Sequence, residues 1–292
     1  MKPTAKNHQR TLAIVYDFDG TLTPLPMQEY TVLPELGIDS SKFWAEVERE
    51  VKITGGDPIL TYMRLLIEKI EAKKTHLSRE SLRELAGAMQ YYPGVEKWFD
   101  RINDYVTQNS GGTIETRHYI ISAGLKEILE GITIKKHFNE IYASQYYFDH
   151  HEAARFPTIV INDTAKTQYL FRINKGRETY GETINEYMPE SIRPIPFQNM
   201  LYIGDGLTDV PCMTVMKNYG GFSIAVHGTK DPKALETCRK LAAAERIDFY
   251  APADYREDKV LEKRVHKILQ LIIARINFET ERKIFLQKTT KG

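Results

Sequence analysis

Short apolar runs, each followed by a polar turn, recur along the chain. Patterns of helical spacing lie between these runs, and the alternation predicts a parallel sheet whose strands are joined by crossover helices. We therefore expect the α/β fold class, with helices flanking the sheet. The predicted strands occupy residues 12–17, 118–122, 139–143, 200–204 and 222–226.

The segment from about residue 25 to 92 has a different pattern, with helical periodicity and no convincing strand. Ser40-Ser41 can cap a first helix, and Ser78 can cap a third. Between them, apolar residues from Ile59 to Ile70 share one face of a second helix. This pattern predicts a small helical unit inserted into the chain. The alternative is that these helices pack on the sheet as part of one domain.

Three further segments complete the predicted organisation. Residues 144–164 alternate polar with aromatic or β-branched residues, which predicts a hairpin beside the sheet. Residues 177–198 contain three prolines and predict an irregular connection. Residues 258–287 form an amphipathic helical pattern with an apolar stripe from Val260 to Ile276. We expect this last helix to cover the sheet; a contact between two copies of the chain is the alternative.

Length and charge narrow the class of protein. The 292 residues suit one large domain, or a core with a smaller insertion. The chain has 40 Lys and Arg residues and 39 Asp and Glu residues, so its net charge is close to zero. This balance favours neither nucleic acid nor an anionic membrane as a partner. Cys212 and Cys238 have no metal-ligand or disulfide spacing, which indicates free thiols. With no apolar segment near the ~18 residues that span a bilayer, a cytoplasmic protein is expected.

Two acidic motifs, almost two hundred residues apart, carry the chemistry. DFDGTLT (Asp17–Thr23) and GDGLTD (Gly204–Asp209) each follow a predicted buried strand directly. In an open parallel α/β sheet, the carboxyl ends of the strands form the edge where ligands bind. Several carboxylates gathered there repel one another unless a cation lies between them. Mg²⁺, held by carboxylates, water and a substrate phosphate, is the expected cofactor.

Four motifs together resemble those of the haloacid dehalogenase (HAD) superfamily of hydrolases. DFDGTLT resembles motif I in its phosphatase form, and HYIISAG (His118–Gly124) resembles motif II, with Ser122 at a strand end. AKTQYLFRINKG (Ala165–Gly176) resembles motif III, a lysine that opens a helix, and GDGLTD resembles motif IV. All four occur in the family's order across residues 12–209.

The resemblance implies distinct roles for the motif I aspartates. Asp17 is the candidate nucleophile, because an ionised carboxylate can attack phosphorus and form an aspartyl-phosphate. Asp19 is implied to protonate the leaving alcohol and then to activate water, and its backbone carbonyl to bind the metal. From motif IV, Asp205 is expected to bind the metal directly. For Asp209 the prediction remains open between a direct metal ligand and a residue that orients water or holds the loop.

The phosphate is expected to lie against motifs II and III. The Ser122 hydroxyl and the amides of Ala123 and Gly124, at the start of a predicted helix over residues 125–130, would form an anion cradle. Lys166 is the predicted lysine partner of the phosphate and Asp17. Lys175 is its competitor, although a lysine at that position also suits a helix C-terminus.

The combined prediction is a HAD-like phosphoric monoester hydrolase that acts on a small phosphorylated substrate. Residues 1–24 and 93–292 would form the Rossmann-like α/β core, and residues 25–92 a helical cap at the family's C1 position. This arrangement is similar to phosphoserine phosphatases, but those enzymes carry a glutamate nine residues after the nucleophile, where this chain has Pro26. Glu29 lies three residues further on, so phosphoserine itself is not implied.

Three alternatives remain from the sequence. A phosphotransferase or phosphomutase would use the same four motifs. A non-catalytic binding protein of the same fold would normally have lost one of the aspartates. The run Asp149-His150-His151-Glu152 could hold a second metal, but consecutive residues in a hairpin turn point in different directions, which favours a solvated turn. The oligomeric state is left open.

Overall fold

The computed structural model describes residues 9–289, and within them the chain forms a sheet of seven strands in the order β4-β3-β2-β1-β5-β6-β7. The strands pair in parallel except β4, which runs antiparallel to β3 at one edge. The predicted α/β class is confirmed. The strands are β1 (Thr11–Tyr16), β2 (Glu115–Leu125), β3 (Glu140–Phe148), β4 (Ala154–Ile159), β5 (Met200–Gly204), β6 (Phe222–His227) and β7 (Phe249–Pro252).

The helices of the described residues lie within residues 25–92, between strands or, for the last of them, after β7. None of them is both long enough and apolar enough to cross a membrane. They are α1 (Met27–Tyr30), α2 (Val32–Glu35), α3 (Ser40–Thr54), α4 (Pro58–Ala72), α5 (Arg79–Leu85), α6 (Val95–Ser110), α7 (Lys126–Leu129), α8 (Lys166–Lys175), α9 (Val210–Asn218), α10 (Pro232–Ala243) and α11 (Val260–Thr289).

Both faces of the sheet are buried, as expected when crossover helices cover a parallel sheet. Successive side chains of β1 alternate between two apolar clusters: Ile14 belongs to one and Val15 to the other. The first cluster contains residues of α6 and α11 and continues into α1–α5; the second contains residues of α8, α9 and α10. Apolar packing on both faces therefore fixes the central strands whose carboxyl ends carry the motifs.

Residues 25–92 contain the three predicted helices, which correspond to α3, α4 and α5, together with the short turns α1 and α2. The cap of α3 is Asp39, whose side chain accepts a hydrogen bond from the Lys42 amide, rather than the predicted Ser40. Ser78 caps α5 as predicted. The apolar side chains of this segment are continuous with the core on one face of the sheet.

The C-terminal helix and the β3–β4 hairpin are confirmed, with differences in detail. Val260 was expected in the apolar stripe of α11 but is 46% exposed. Its neighbour Leu261 is buried instead, because the helix begins at Val260 and turns the next side chain inward. Strand β7 was not predicted from the sequence; it is a four-residue edge strand whose one partner among residues 9–289 is β6.

Candidate active site

Motifs I and IV meet because β1 and β5 are neighbours in the sheet. Val15 and Tyr16 pair with Tyr202 and Ile203, and the Asp17 amide donates to the Ile203 carbonyl at 2.9 Å. After β1 the chain turns at Gly20, with φ at +76°. A Cβ atom on Gly20 would lie 2.2 Å from a carboxylate oxygen of Asp205. The glycine therefore allows the two acidic loops to approach each other.

Lys166 joins motif III to this edge of the sheet. As predicted, it is the first residue of a helix, α8. Its Nζ lies 3.1 Å from Oδ1 of Asp17 and 2.8 Å from Oδ1 of Asp209. Burial by itself lowers the pKa of this lysine, but the two carboxylates outweigh it and raise the pKa overall. The group is therefore a buried ammonium held between two aspartates.

Asp209 is the most completely bonded of the aspartates. Besides Lys166, its Oδ1 accepts from the Tyr202 hydroxyl at 2.6 Å, and its Oδ2 accepts from the Asp205 amide at 3.0 Å. A Cβ atom on Gly204 would lie 2.3 Å from this carboxylate. These contacts fix the motif IV loop, which fits the loop-holding alternative for Asp209.

Asp205 contrasts with Asp209 because no group in residues 9–289 donates a hydrogen bond to its carboxylate. Burial, and then the charges of Asp209 and Asp17, raise its pKa well above the usual range. One carboxylate oxygen from each of these three residues lies within 4.8 Å of the others. A divalent cation among them would offset their repulsion, and carboxylate oxygens are ligands that Mg²⁺ prefers. The donor set therefore fits the predicted metal.

The two aspartates of motif I occupy different surroundings. Burial raises the pKa of Asp17 to about 7, and Lys166 is the main influence against that rise. Burial, and then the charge of Asp17, raises the pKa of Asp19 to about 8. Oδ1 of Asp19 accepts from the Met27 amide at 2.8 Å. A neighbouring cation would favour the ionised form of Asp17, whereas Asp19 can keep a proton near neutral pH.

Motif II differs from the predicted anion cradle. Strand β2 continues past Ser122 to Leu125, and α7 begins only at Lys126, so the amides of Ala123 and Gly124 do not start a helix. The Gly124 amide donates to the buried Ser122 hydroxyl at 3.0 Å. Because Tyr16 pairs with Ile120, Ser122 still lies on the strand beside motif I. The helical part of the cradle prediction is therefore wrong, and phosphate binding by Ser122, Ala123 and Gly124 stays a prediction.

The competing residues have other contacts. Nζ of Lys175 donates to the carbonyls of Ile184 and Glu186, which places this lysine in the irregular connection. The Asp149 carboxylate accepts from the amides of His151 and Ala153, as in a tight turn. The geometry of that run supports a turn rather than a second metal centre.

The inserted helices bring polar residues that the sequence analysis did not assign to the site. The Tyr62 hydroxyl of α4 donates to the Ala123 carbonyl at 2.9 Å. Oε1 of Glu29 accepts from the Trp44 indole at 2.9 Å. Gln28 is 2% exposed, yet its side-chain oxygen has no hydrogen-bond partner among the described residues. Their signal in the sequence is weak, because they belong to no motif and some of their contacts are with residues far away in the chain.

Comparison with solved structures assigns the architecture to a known class. A HAD-family hydrolase of Salmonella enterica serovar Typhi superposes with a TM-score of 0.55 at 16% identity, over 84% of this chain and 68% of that one. The chain therefore has the fold of HAD-family hydrolases, as the four motifs predict. A phosphoserine phosphatase with an analogue of its phospho-aspartyl intermediate gives a TM-score of 0.53 at 16% identity, over 87% and 97% of the two chains.

The chain is also similar in sequence to a bacterial protein. An uncharacterized protein of Borreliella burgdorferi is 27% identical over 277 residues, covering 85% of this chain and 92% of that protein. No protein-family model matches the chain. The assignment of the fold is therefore based on structural similarity. The assignment of the site is based on the residues of this chain.

Proposed function

We propose that the protein is a Mg²⁺-dependent phosphatase that hydrolyses a small phosphorylated metabolite through an aspartyl-phosphate. The observation that carries this proposal is that some carboxylates of the cluster are bonded to a lysine while another has no donor. Lys166 joins Asp17 to Asp209, while Asp205 faces the same cluster without a donor. A cation at Asp205 and a phosphate beside Lys166 would complete the charge balance.

Asp17, Asp19 and Lys166 then have distinct tasks. Asp17 attacks phosphorus through a carboxylate oxygen, and the bond from phosphorus to the substrate oxygen breaks. Asp19 gives its proton to that leaving oxygen and afterwards takes a proton from the water that hydrolyses the acyl-phosphate. Lys166 offsets the negative charge of the transferring group. The carboxylates of Asp17 and Asp205, with the Asp19 carbonyl, would hold Mg²⁺, which supplies further charge neutralisation when bound.

Residues 25–92 act in this proposal as the C1 cap over a core made of residues 1–24 and 93–292. Asp17 is 5% exposed and Lys166 1% exposed, so a substrate needs some opening above them. Because the inserted helices form that cover, they are the part that would select the substrate. With Pro26 in place of the usual glutamate, the proposed substrate class stays a small phosphorylated metabolite.

The test is a screen of phosphorylated metabolites with the full chain, with Mg²⁺ and with excess chelator. We expect phosphate release from some of them with Mg²⁺, none after chelation, and recovery when Mg²⁺ is restored. Ca²⁺ should inhibit, because its larger and looser coordination shell misplaces the nucleophile. Full turnover in chelator would overturn the metal role.

The screen also separates the related activities. Adding a sugar or nucleoside acceptor distinguishes the two outcomes: a phosphorylated acceptor would identify a phosphotransferase, whereas free phosphate alone supports the hydrolase. If no compound is turned over in any condition, the proposed activity is wrong and the non-catalytic alternative gains support.

A further inference from the structure

One side-chain hydrogen bond joins the inserted helices to the helix that carries Lys166. Nδ2 of Asn162 donates to Oδ2 of Asp57 at 2.9 Å, although the two residues are 105 positions apart in the chain. Asp57 precedes α4, and Asn162 lies four residues before Lys166. The bond therefore crosses from residues 25–92 to the motif III loop.

Each partner of this bond also holds the start of its own helix. Oδ1 of Asp57 accepts from the Ile59 and Leu60 amides, both at 2.9 Å, and so caps α4. Oδ1 of Asn162 accepts from the Ala165 amide at 3.0 Å. One end of the Asp57 carboxylate thus caps α4, one end of the Asn162 carboxamide holds the residue just before α8, and the other two ends face each other.

Asn162 also contacts Lys166 directly through the backbone. The Lys166 amide donates to the Asn162 carbonyl at 3.1 Å. The position of the lysine backbone thus depends on Asn162, whose side chain is oriented by Asp57. A second bond across the same junction, from Tyr62 of α4 to the Ala123 carbonyl, ties the inserted helix to motif II.

We propose that Asn162 is a positioning residue that couples closure of the inserted helices to the placement of Lys166. With α4 seated, Asp57 orients Asn162, and the start of α8 is held for the lysine to reach Asp17. When α4 moves away, Asn162 loses its acceptor and the first turn of α8 loosens. The catalytic meaning of this coupling rests on the proposed phosphatase function, but the coupling itself can be measured without activity.

Three variants of the full chain test the coupling. Asp57→Asn keeps an oxygen for the α4 cap but turns an amide toward the amide of Asn162. Asn162→Asp keeps an oxygen for the Ala165 amide but places two carboxylates face to face. The double variant restores a donor and an acceptor with their roles exchanged and the net charge of the wild type. Asp39→Asn is the matched control, because Asp39 caps α3 and its described bonds stay within residues 25–92.

Hydrogen exchange of the peptide amides at the start of α8 is the first measurement. Both single variants should speed exchange there about tenfold or more, the size expected when a hydrogen bond to a charged group is lost. The double variant should return toward the wild-type rate, and Asp39→Asn should leave α8 unchanged. Equal effects of Asp57→Asn and Asp39→Asn on α8, or no recovery in the double variant, would overturn the proposal.

Turnover of p-nitrophenyl phosphate with Mg²⁺ is the second measurement. Asp57→Asn should lower kcat about tenfold with little change in KM, since Lys166 acts on the transferring group and Asp57 touches no part of a small substrate. The double variant should recover most of that loss. Normal kcat in both single variants would contradict a positioning role. Absence of turnover in the wild type would count against the proposed function, and the exchange result would still decide the coupling.

Discussion

On the sheet side of the candidate site, Asp17, Asp19 and Asp209 each have a donor and Asp205 alone does not, whereas on the helical side even a fully buried amide oxygen is left unpaired. Asp209 alone accepts from Lys166, Tyr202 and the Asp205 amide. Within residues 25–92, the side-chain oxygen of Gln28 is buried without a partner in the described chain. A rigid side, on which Asp205 alone of the four aspartates lacks a donor, suits a group shared by all substrates, such as phosphate. A partly bonded side leaves donors and acceptors for the part of the substrate that varies.

The largest expected effect follows from removing the nucleophile on the rigid side. Asp17→Asn leaves the size of the side chain unchanged but removes the carboxylate that would attack phosphorus. Loss of a nucleophile typically costs about 10⁴-fold or more. We expect neither product nor phosphorylated protein, which intact-mass measurement after mixing with an aryl phosphate would show. Wild-type turnover by this variant would mean that the chemistry belongs to another residue.

Asp19→Asn should separate the two halves of the reaction. It keeps the nucleophile but removes the acid and base, for an expected loss of about 10²–10⁴-fold. An aryl phosphate has a good leaving group and can still phosphorylate Asp17, whereas the acyl-phosphate then lacks a base to activate water. Intact mass should therefore show phosphate accumulating on this variant. An alkyl phosphate should be affected more, at the first step; equal slowing of both substrates without a phosphorylated species would contradict the assignment.

How much the sequence could predict depends on how local the signal is, on both sides of the site. Strands β1 and β5 and their aspartates were predictable because the signal is local: a buried run followed directly by an acidic turn. The Lys166 helix start and the three inserted helices were local in the same sense. Local patterns thus predict elements on both sides of the site.

The features that sequence analysis missed depend on contacts between distant segments. Strand β2 continues beyond Ser122 because it pairs with β3 as far as Ser144. No local sequence pattern predicts this pairing. The bond between Asp57 and Asn162 spans 105 positions and uses residue types that are common in turns. Asp39 and Ser40 are both good caps by composition, and only the backbone geometry selects the aspartate.

The rigid side should also respond to pH through its packed core. His118 on β2 lies between Tyr16, which bonds its Nδ1 at 3.1 Å, and Asn103, which bonds its Nε2 at 3.0 Å. Burial, and then the charge of His137, lowers the pKa of His118 to about 3 from 6.5. Above pH 6.5 the imidazole is neutral in both states, and below it the unfolded chain binds a proton that the folded chain resists.

Stability should therefore fall by about 1.4 kcal/mol per pH unit from this histidine between pH 6.5 and 3, or about 2 kcal/mol at pH 5. Urea unfolding at a series of pH values measures the slope. His118→Gln has no proton to gain, so its own slope should be shallower by that amount, whatever its stability at pH 7. Parallel slopes for the two proteins would show that His118 is not the group responsible.

The smallest expected effect comes from removing a single tyrosine hydroxyl between residues 25–92 and the rest of the chain. Tyr62 and Tyr146 are both 3% exposed and donate across the junction to backbone carbonyls, Tyr62 to Ala123 and Tyr146 to Met63. Each change to Phe should lower the free energy of unfolding by about 1 kcal/mol. Only Tyr62→Phe removes a bond to Ala123, the residue beside Ser122, whose carbonyl keeps its bond from the Ser144 hydroxyl at 3.1 Å. Only this variant should therefore change the relative kcat/KM among the metabolites found by the screen. Rates on p-nitrophenyl phosphate, which offers little for the inserted helices to contact, should change less. If both variants shift the substrate panel alike, or if Tyr62→Phe slows every substrate equally, α4 supports the fold without taking part in selection.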